Sequence, residues 1–402
     1  MKKLLQRIAL LTAITCLFSY PIMAQQPVTL DAGQQAALPR FTTDHQGNPV
    51  ISWVEKANDQ AALFFCVSAD GGRTFNPKIR VAAPGTMSTH PEGRPRIAFK
   101  KDGTLIATVE ISKPTDDSPR ASDLLFVQST DGGRTWTLPK PVHQDVTPGK
   151  GHSFSDLITL PNGEVGAVWL DEKLPGQEGR SVKFAQTTPG GGFTHEILID
   201  SSACQCCRTS LAVTSDGGIH VAYRDLLADG SRDMSYARSA DGGRTFSKPT
   251  VIYADHWQLN ACPHSGIQLV AAGNEVLATW YSGKEGEAGL RLTRVGQQTL
   301  LEKPQTSAMK APQLAVLADN RLALCWEEWV GEGPGAYRKI GLKYLGADGA
   351  SQPVYLTRPG EIATQPTLLA TKQGLLLAYT RLQGASSALV LVYLNPNTTN
   401  KS

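Results

Sequence analysis

Apolar and polar positions alternate along nearly the whole chain, in short runs broken by glycine, proline, asparagine or aspartate. Ala62-Leu63-Phe64-Phe65-Cys66-Val67 is one such run. Arg96-Ile97-Ala98-Phe99 leads through Asp102-Gly103 to a second run at 106–110, and 210–213 leads through Asp216-Gly217-Gly218 to 220–223. This two-residue period predicts half-buried β-strands joined by tight turns. Helical periodicity is nearly absent. The phrase of apolar strand, turn and apolar strand recurs from 39, 95, 153, 208, 265, 311 and 364, giving seven units.

A second repeat sits behind the first. Ser68-Ala69-Asp70-Gly71-Gly72-Arg73-Thr74-Phe75 returns as Ser129-Thr130-Asp131-Gly132-Gly133-Arg134-Thr135-Trp136 and as Ser239-Ala240-Asp241-Gly242-Gly243-Arg244-Thr245-Phe246. The aspartates lie 61 and 110 residues apart, and a worn copy at 187–193 falls in the longer gap. Each box follows a β-rich run, so it closes a hairpin: the aspartate accepts from turn N–H groups, the glycines allow positive φ, and the aromatic anchors the turn. Repeating β units of this length predict an all-β fold, a β-propeller of seven blades, or six if one weak unit is an elaboration. The last unit holds three strands, and Val28-Thr29-Leu30 is expected to supply the fourth and close the ring. Closure would leave no exposed sheet edge.

The N-terminus reads differently. Lys2, Lys3 and Arg7 precede an apolar run at 8–18, and Ile22-Met23-Ala24 ends in small residues. That is the pattern of a secretory signal peptide over 1–24, with Cys16 inside its apolar stretch. A single domain over 25–397 and a polar tail over 398–402 complete the organisation. Beyond 1–24 the chain carries 36 basic and 36 acidic residues. Such balance argues against electrostatic binding to nucleic acid or anionic membrane. No later stretch is apolar and long enough for a membrane span. An exported, soluble protein of periplasm or medium is expected, its oligomeric state unspecified.

The three boxes fit the pattern S-x-D-x-G-x-T-[WF] and resemble the Asp-box, or BNR repeat, of the sialidase (neuraminidase) superfamily. The stretch 94–136 is similar to that superfamily's first blade, with Pro95-Arg96-Ile97-Ala98 resembling its Arg-Ile-Pro phrase. The resemblance implies that Asp70, Asp131 and Asp241 are structural and lie opposite the active face. It also implies an exo-α-sialidase type of hydrolase acting on an acidic sugar. Arg96 and Arg208 would bind the substrate carboxylate and Asp123 would act as the acid, with no third arginine at a corresponding position.

In a propeller, the loops leading into the innermost strands converge on one face. Those loops here carry His90, His152, Cys204-Gln205-Cys206-Cys207-Arg208, Cys262-Pro263-His264 and Met309. Four of the seven cysteines therefore fall in the approaches to consecutive blades. Three readings stay open. Export favours an interblade disulfide such as Cys207 to Cys262. An extended segment would leave Cys204 and Cys206 side by side with Cys207 opposite, a thiol pair suited to copper(I) and less to zinc. Ligands would be Cys204, Cys206, Cys207, Cys262 and His264, with His152, His90 and Met309 as additions. The third reading is thiol redox work with Cys206 or Cys207 activated by Arg208. Cys66 and Cys325 lie in apolar strands and read as inert core. The preferred function is soft-metal binding at the channel mouth. The second is hydrolysis, and the ligand is a metal ion, small molecule or glycan.

Overall fold

Each repeat unit closes on itself as an antiparallel sheet, because a run that alternates apolar and polar side chains can bury both faces only against neighbouring sheets. The computed structural model describes residues 25–395 except 59, 304 and 359. The expected signal peptide and polar tail lie outside the described residues. Seven sheets follow in order. Blades 1 to 6 cover 36–80, 96–141, 153–203, 210–253, 268–302 and 309–355. Blade 7 takes three strands from 362–394 and its outer strand, Gln25–Pro27, from the N-terminus. Among the described residues the only helix is a 3-10 turn at Gly333–Gly335, and no helix is long and apolar enough to cross a membrane.

The closing strand begins three residues earlier than the sequence suggests. Gln25 pairs with Leu394 and Pro27 with Val392, and Val28 adds one hydrogen bond to the Leu391 carbonyl at 3.0 Å. Val28 and Leu30 instead pack into the apolar layer between blades 7 and 1. Their apolar character thus reports packing and not strand pairing.

The core is a set of such layers between successive blades. Leu63 and Phe65 of blade 1 pack with Ile97 and Val109 of blade 2. Val182 and Phe184 of blade 3 pack with Val221 and Tyr223 of blade 4. Trp53, Trp169, Trp280 and Trp326 are fully buried at equivalent points of four blades. Their indole N–H groups donate to Glu55, Asp171, Asp255 and Glu328 at 2.7–3.0 Å, which satisfies the polar edge of each ring.

The Asp-boxes join third to outer strands, on the rim opposite the loops that lead into inner strands. In the box of blade 2, Asp131 accepts from the backbone of Arg134 and Thr135 and from the Thr135 and Ser129 hydroxyls at 2.6–3.0 Å. Asp70 and Asp241 repeat the arrangement. Each box aromatic then reaches the preceding blade. Trp136 meets Phe65 edge to face at 6.5 Å, and Phe246 meets Phe184 at 5.1 Å.

Candidate functional site

A cavity of about 780 Å³ opens on the face opposite the Asp-boxes. It lies over blades 2 to 5, off the central axis, because its walls come from loops into inner strands and loops between second and third strands. Those walls include His90, Glu110, Arg120, Glu172, Lys173, Cys206, Cys262 and His264. Nearer the axis, Arg40, Arg96, Asp156 and Arg208 line a small polar pocket of about 60 Å³.

The four clustered cysteines meet at one corner of the cavity. Residues 204–207 form a turn between Ile197–Ala203 and Ser210–Val213, and a turn can aim successive side chains at one point. The Sγ atoms of Cys204, Cys206 and Cys207 all lie within 4.8 Å of one another. Cys207 therefore joins its neighbours and does not point away from them, contrary to the extended geometry expected from the sequence. Cys206 also lies within 4.8 Å of Cys262 Sγ and a ring nitrogen of His264, carried by the loop into blade 5. The described cysteines are all free thiols, so the Cys207–Cys262 bridge is not formed.

Arg232, Arg224, Ser265 and Glu92 hold the two thiol-bearing loops together. Arg232 donates to Cys204 Sγ at 3.1 Å and to the Leu259 carbonyl at 2.8 Å. Arg224 donates to the Ser265 carbonyl at 2.8 Å. The Ser265 N–H points at Cys207 Sγ at 3.4 Å. Glu92 accepts from the backbone N–H of Arg208 at 3.1 Å and of Gly266 at 2.7 Å, and pairs with the Arg208 guanidinium. Burial pushes the Glu92 carboxyl up, but the Arg208 charge and those two N–H groups hold it below the usual carboxylate range. Glu92 carries no motif in the sequence; it becomes visible only when three loops meet across the fold.

The thiols differ in acidity. Hydrogen bonds from Cys206 and Cys207, with the charges of Arg232 and Arg224, hold Cys204 below the ordinary thiol range despite its burial. Cys206 is pushed up, by its bonds to Cys204 and Cys207 and then by burial. Burial raises Cys207 to about 12. Cys204, beside Arg232, is thus the most acidic of the three, whereas Cys206 and Cys207, which the sequence paired with Arg208, are pushed up, and Arg208 is committed to Glu92. Burial likewise raises Cys66 to about 12 and Cys325 well above an ordinary thiol, as inert core residues require.

The remaining expected ligands divide. His90 lies in the cavity with its ring centroid 5.0 Å from that of His264. Its Nδ1 accepts from the Glu92 N–H at 3.2 Å, which leaves Nε2 as the protonated, donating nitrogen of the neutral ring. His152 is fully buried and donates from Nδ1 to Asp171 at 2.8 Å, stacked on His143 at 3.5 Å, away from the thiols. Met309 packs in the apolar layer between blades 5 and 6.

Residues 65–299, more than half of the sequence, match the BNR repeat-like domain family. The chain belongs to that family. It is a BNR β-propeller of the sialidase superfamily, as the boxes suggest. A sialidase from Micromonospora viridifaciens is 26% identical over 235 residues, which are 56% of this chain and 32% of that protein. The chain therefore spans about a third of the length of that curated relative. Among solved structures, the BP39L lectin from Burkholderia pseudomallei superposes with a TM-score of 0.55 at 10% identity, covering 89% of this chain and 99% of the lectin. A polysaccharide lyase, ulvan lyase, superposes with a TM-score of 0.54 at 11% identity, covering 76% and 80%. A protein of unknown function from Dyadobacter fermentans gives 0.50 at 16% identity, covering 93% and 98%. These likenesses are of fold.

The residues that the sialidase resemblance singles out have other partners in this BNR propeller. Arg96 is 1% exposed; it pairs with Asp156 at 3.1 Å and donates to the Arg94 carbonyl. Arg208 is held by Glu92. Asp123 pairs with Lys113 and lies 3.5 Å from His143, outside the cavity lining. Glu110, with Glu172, is a carboxyl that does line the cavity. Burial pushes it up to about 7, against the opposing pull of the Phe154 N–H and the Arg180 and Arg96 charges. Arg180 beside it spends its guanidinium on the Asp171, Gly151 and Leu170 carbonyls and the Ser153 hydroxyl.

Proposed function

We propose that this BNR propeller is an exported protein that binds a soft metal, copper(I), at the thiol corner of its cavity. The observation that carries the reading is the convergence of Cys206, Cys262 and His264 from two neighbouring blades within 4.8 Å, backed by Cys204 and Cys207. The donor set is sulfur with imidazole and contains no carboxylate, which suits copper(I) better than magnesium, calcium or manganese. Cys262 and His264 are exposed to the cavity, so an ion can reach them from solvent. The thiols raised by burial must lose protons on binding, so affinity should rise with pH.

The test is metal analysis of protein purified without oxygen. Stoichiometric copper whose content or affinity falls in Cys206→Ser and in Cys262→Ser supports the reading. Metal-free protein whose four clustered cysteines are paired as disulfides would overturn it.

A second reading keeps the same cavity for glycan hydrolysis. Its support is Glu110, a buried carboxyl with affinity for its proton near neutrality at the cavity wall, together with a relative named as a sialidase. Turnover of a fluorogenic sialoside, abolished in Glu110→Gln, would establish it. No turnover with a panel of aryl glycosides removes it.

A further inference from the structure

The thiol corner contains two ligand triads that share one atom. Cys204, Cys206 and Cys207 form the first, and Cys206, Cys262 and His264 the second, each with its donor atoms within 4.8 Å of one another. The first is buried: Cys204 and Cys207 are at most 1% exposed and Cys206 is 5% exposed. The second opens to the cavity through Cys262 and His264. Cys206 stands between the two.

Geometry and charge both accommodate a pair of ions. An ion bound by both Cys204 and Cys206, whose sulfurs are 4.0 Å apart, can sit ~2.3 Å from each, the usual metal–thiolate bond length, with the Cys207 sulfur within 4.8 Å of both. A thiolate sulfur has lone pairs enough to bridge two soft ions. Four thiolates around two monovalent ions leave a net negative cluster, and Arg232 donates to Cys204 at 3.1 Å with Arg224 close by. Phe154 packs against the three buried thiols, and the Cys204 side is closed by Arg232. Cys206 is therefore the one sulfur of the inner triad that faces the cavity.

We propose that this corner holds two copper(I) ions bridged by the Cys206 thiolate, an outer one with Cys262 and His264 and an inner one with Cys204 and Cys207. The inference rests on the soft-metal reading above and adds to it the stoichiometry, the bridging atom and an order of filling. The outer position loads from solvent, and the inner position fills across Cys206.

The experiment is anaerobic titration of the reduced full chain with copper(I) buffered by a chromophoric copper(I) chelator, followed by X-ray absorption at the copper edge. Two ions per chain with copper–copper scattering are expected. Cys262→Ser and His264→Ala should each retain one ion, and Cys204→Ser should retain one of a different coordination. Cys206→Ser should weaken both by tenfold or more. One ion per wild-type chain, without copper–copper scattering, overturns the bridged pair and leaves the soft-metal reading standing. No copper in competition with the chelator overturns both. Because the wild-type stoichiometry decides, misfolding of a variant leaves the result intact.

Discussion

Arg232 donates to the Cys204 sulfur at 3.1 Å and, from Nε, to the Leu259 carbonyl at 2.8 Å, so one guanidinium grips both loops that carry the clustered thiols. A fixed cation beside one sulfur selects which thiol ionises first. The thiol pair within hydrogen-bonding reach does most of the lowering at Cys204, with Arg232 adding to it. Arg232→Gln should therefore move the ionisation of Cys204 to higher pH by about one pKa unit, shifting its alkylation profile along the pH axis by that amount. Mass-spectrometric mapping of the modified cysteine across pH checks this. An unchanged profile would mean that the neighbouring thiols alone set the charge.

Glu110 makes stability fall as pH rises. Its carboxyl titrates near 7 in the fold, against 4.5 for an unperturbed glutamate. Between those values the native state holds a proton that the unfolded chain has released. Its contribution is complete below about 4.5 and gone above about 7. Glu110→Gln keeps an acceptor for the Phe154 N–H and removes the titration. At pH 8 the variant should be more stable than wild type by about 1–3 kcal/mol, at roughly 1.4 kcal/mol per pKa unit, and near equality at pH 4. Urea unfolding at the two pH values measures the difference.

The two glycines of an Asp-box differ in what they cost to replace. Gly132 and Gly133 both have positive φ, 74° and 90°. A Cβ on Gly132 would meet nothing within 4 Å, whereas on Gly133 it would come within 2.8 Å of Ile79 and 3.1 Å of Phe65 in the preceding blade. Gly132→Ala should cost about 1–2 kcal/mol for the left-handed backbone alone. Gly133→Ala should cost about 1–3 kcal/mol more, from crowding in a packed interior. Thermal unfolding of the pair tests whether the box clamps adjacent blades or only closes its own hairpin.

What the sequence revealed follows from what repeats. Asp70, Asp131 and Asp241 recur with their serines and threonines, and Trp169, Tyr223, Trp280 and Trp326 recur at one point of the unit, so blade number and rim could be read directly. The meeting of Cys206 with Cys262 was also legible, because radial symmetry puts the approaches to consecutive inner strands side by side. Residues outside the repeat were not legible in this way. The 204–207 segment is a turn, which no strand rule anticipates, and that turn brings Cys207 round. Glu92 gains its role from backbone N–H groups on two other loops, and backbone donors leave no trace in side-chain identity. Arg96 and Arg208 match motif positions, yet Asp156 and Glu92 take their guanidinium groups across blades.

Glu92 is the clearest case of a residue acting through others. Its buried carboxyl is held below the usual carboxylate range, paired with Arg208 and bound to the Arg208 and Gly266 N–H groups, which flank the two thiol-bearing loops. Glu92→Gln would leave the Arg208 charge buried without a partner, and breaking a buried pair costs about 3–5 kcal/mol. The loops would also lose the carboxylate that sets their separation. Outer-shell positioning of this kind changes metal affinity by roughly 10–100-fold. Glu92→Gln should thus lower both the unfolding temperature and copper(I) affinity. Asp216→Asn, which removes an exposed partner of Arg238 on the Asp-box face, should leave both unchanged. A Glu92→Gln protein that is destabilised yet binds copper(I) with wild-type affinity in chelator competition would show that the loops keep their spacing without the carboxylate. Arg232 and Arg224 would then carry the registration of the two loops.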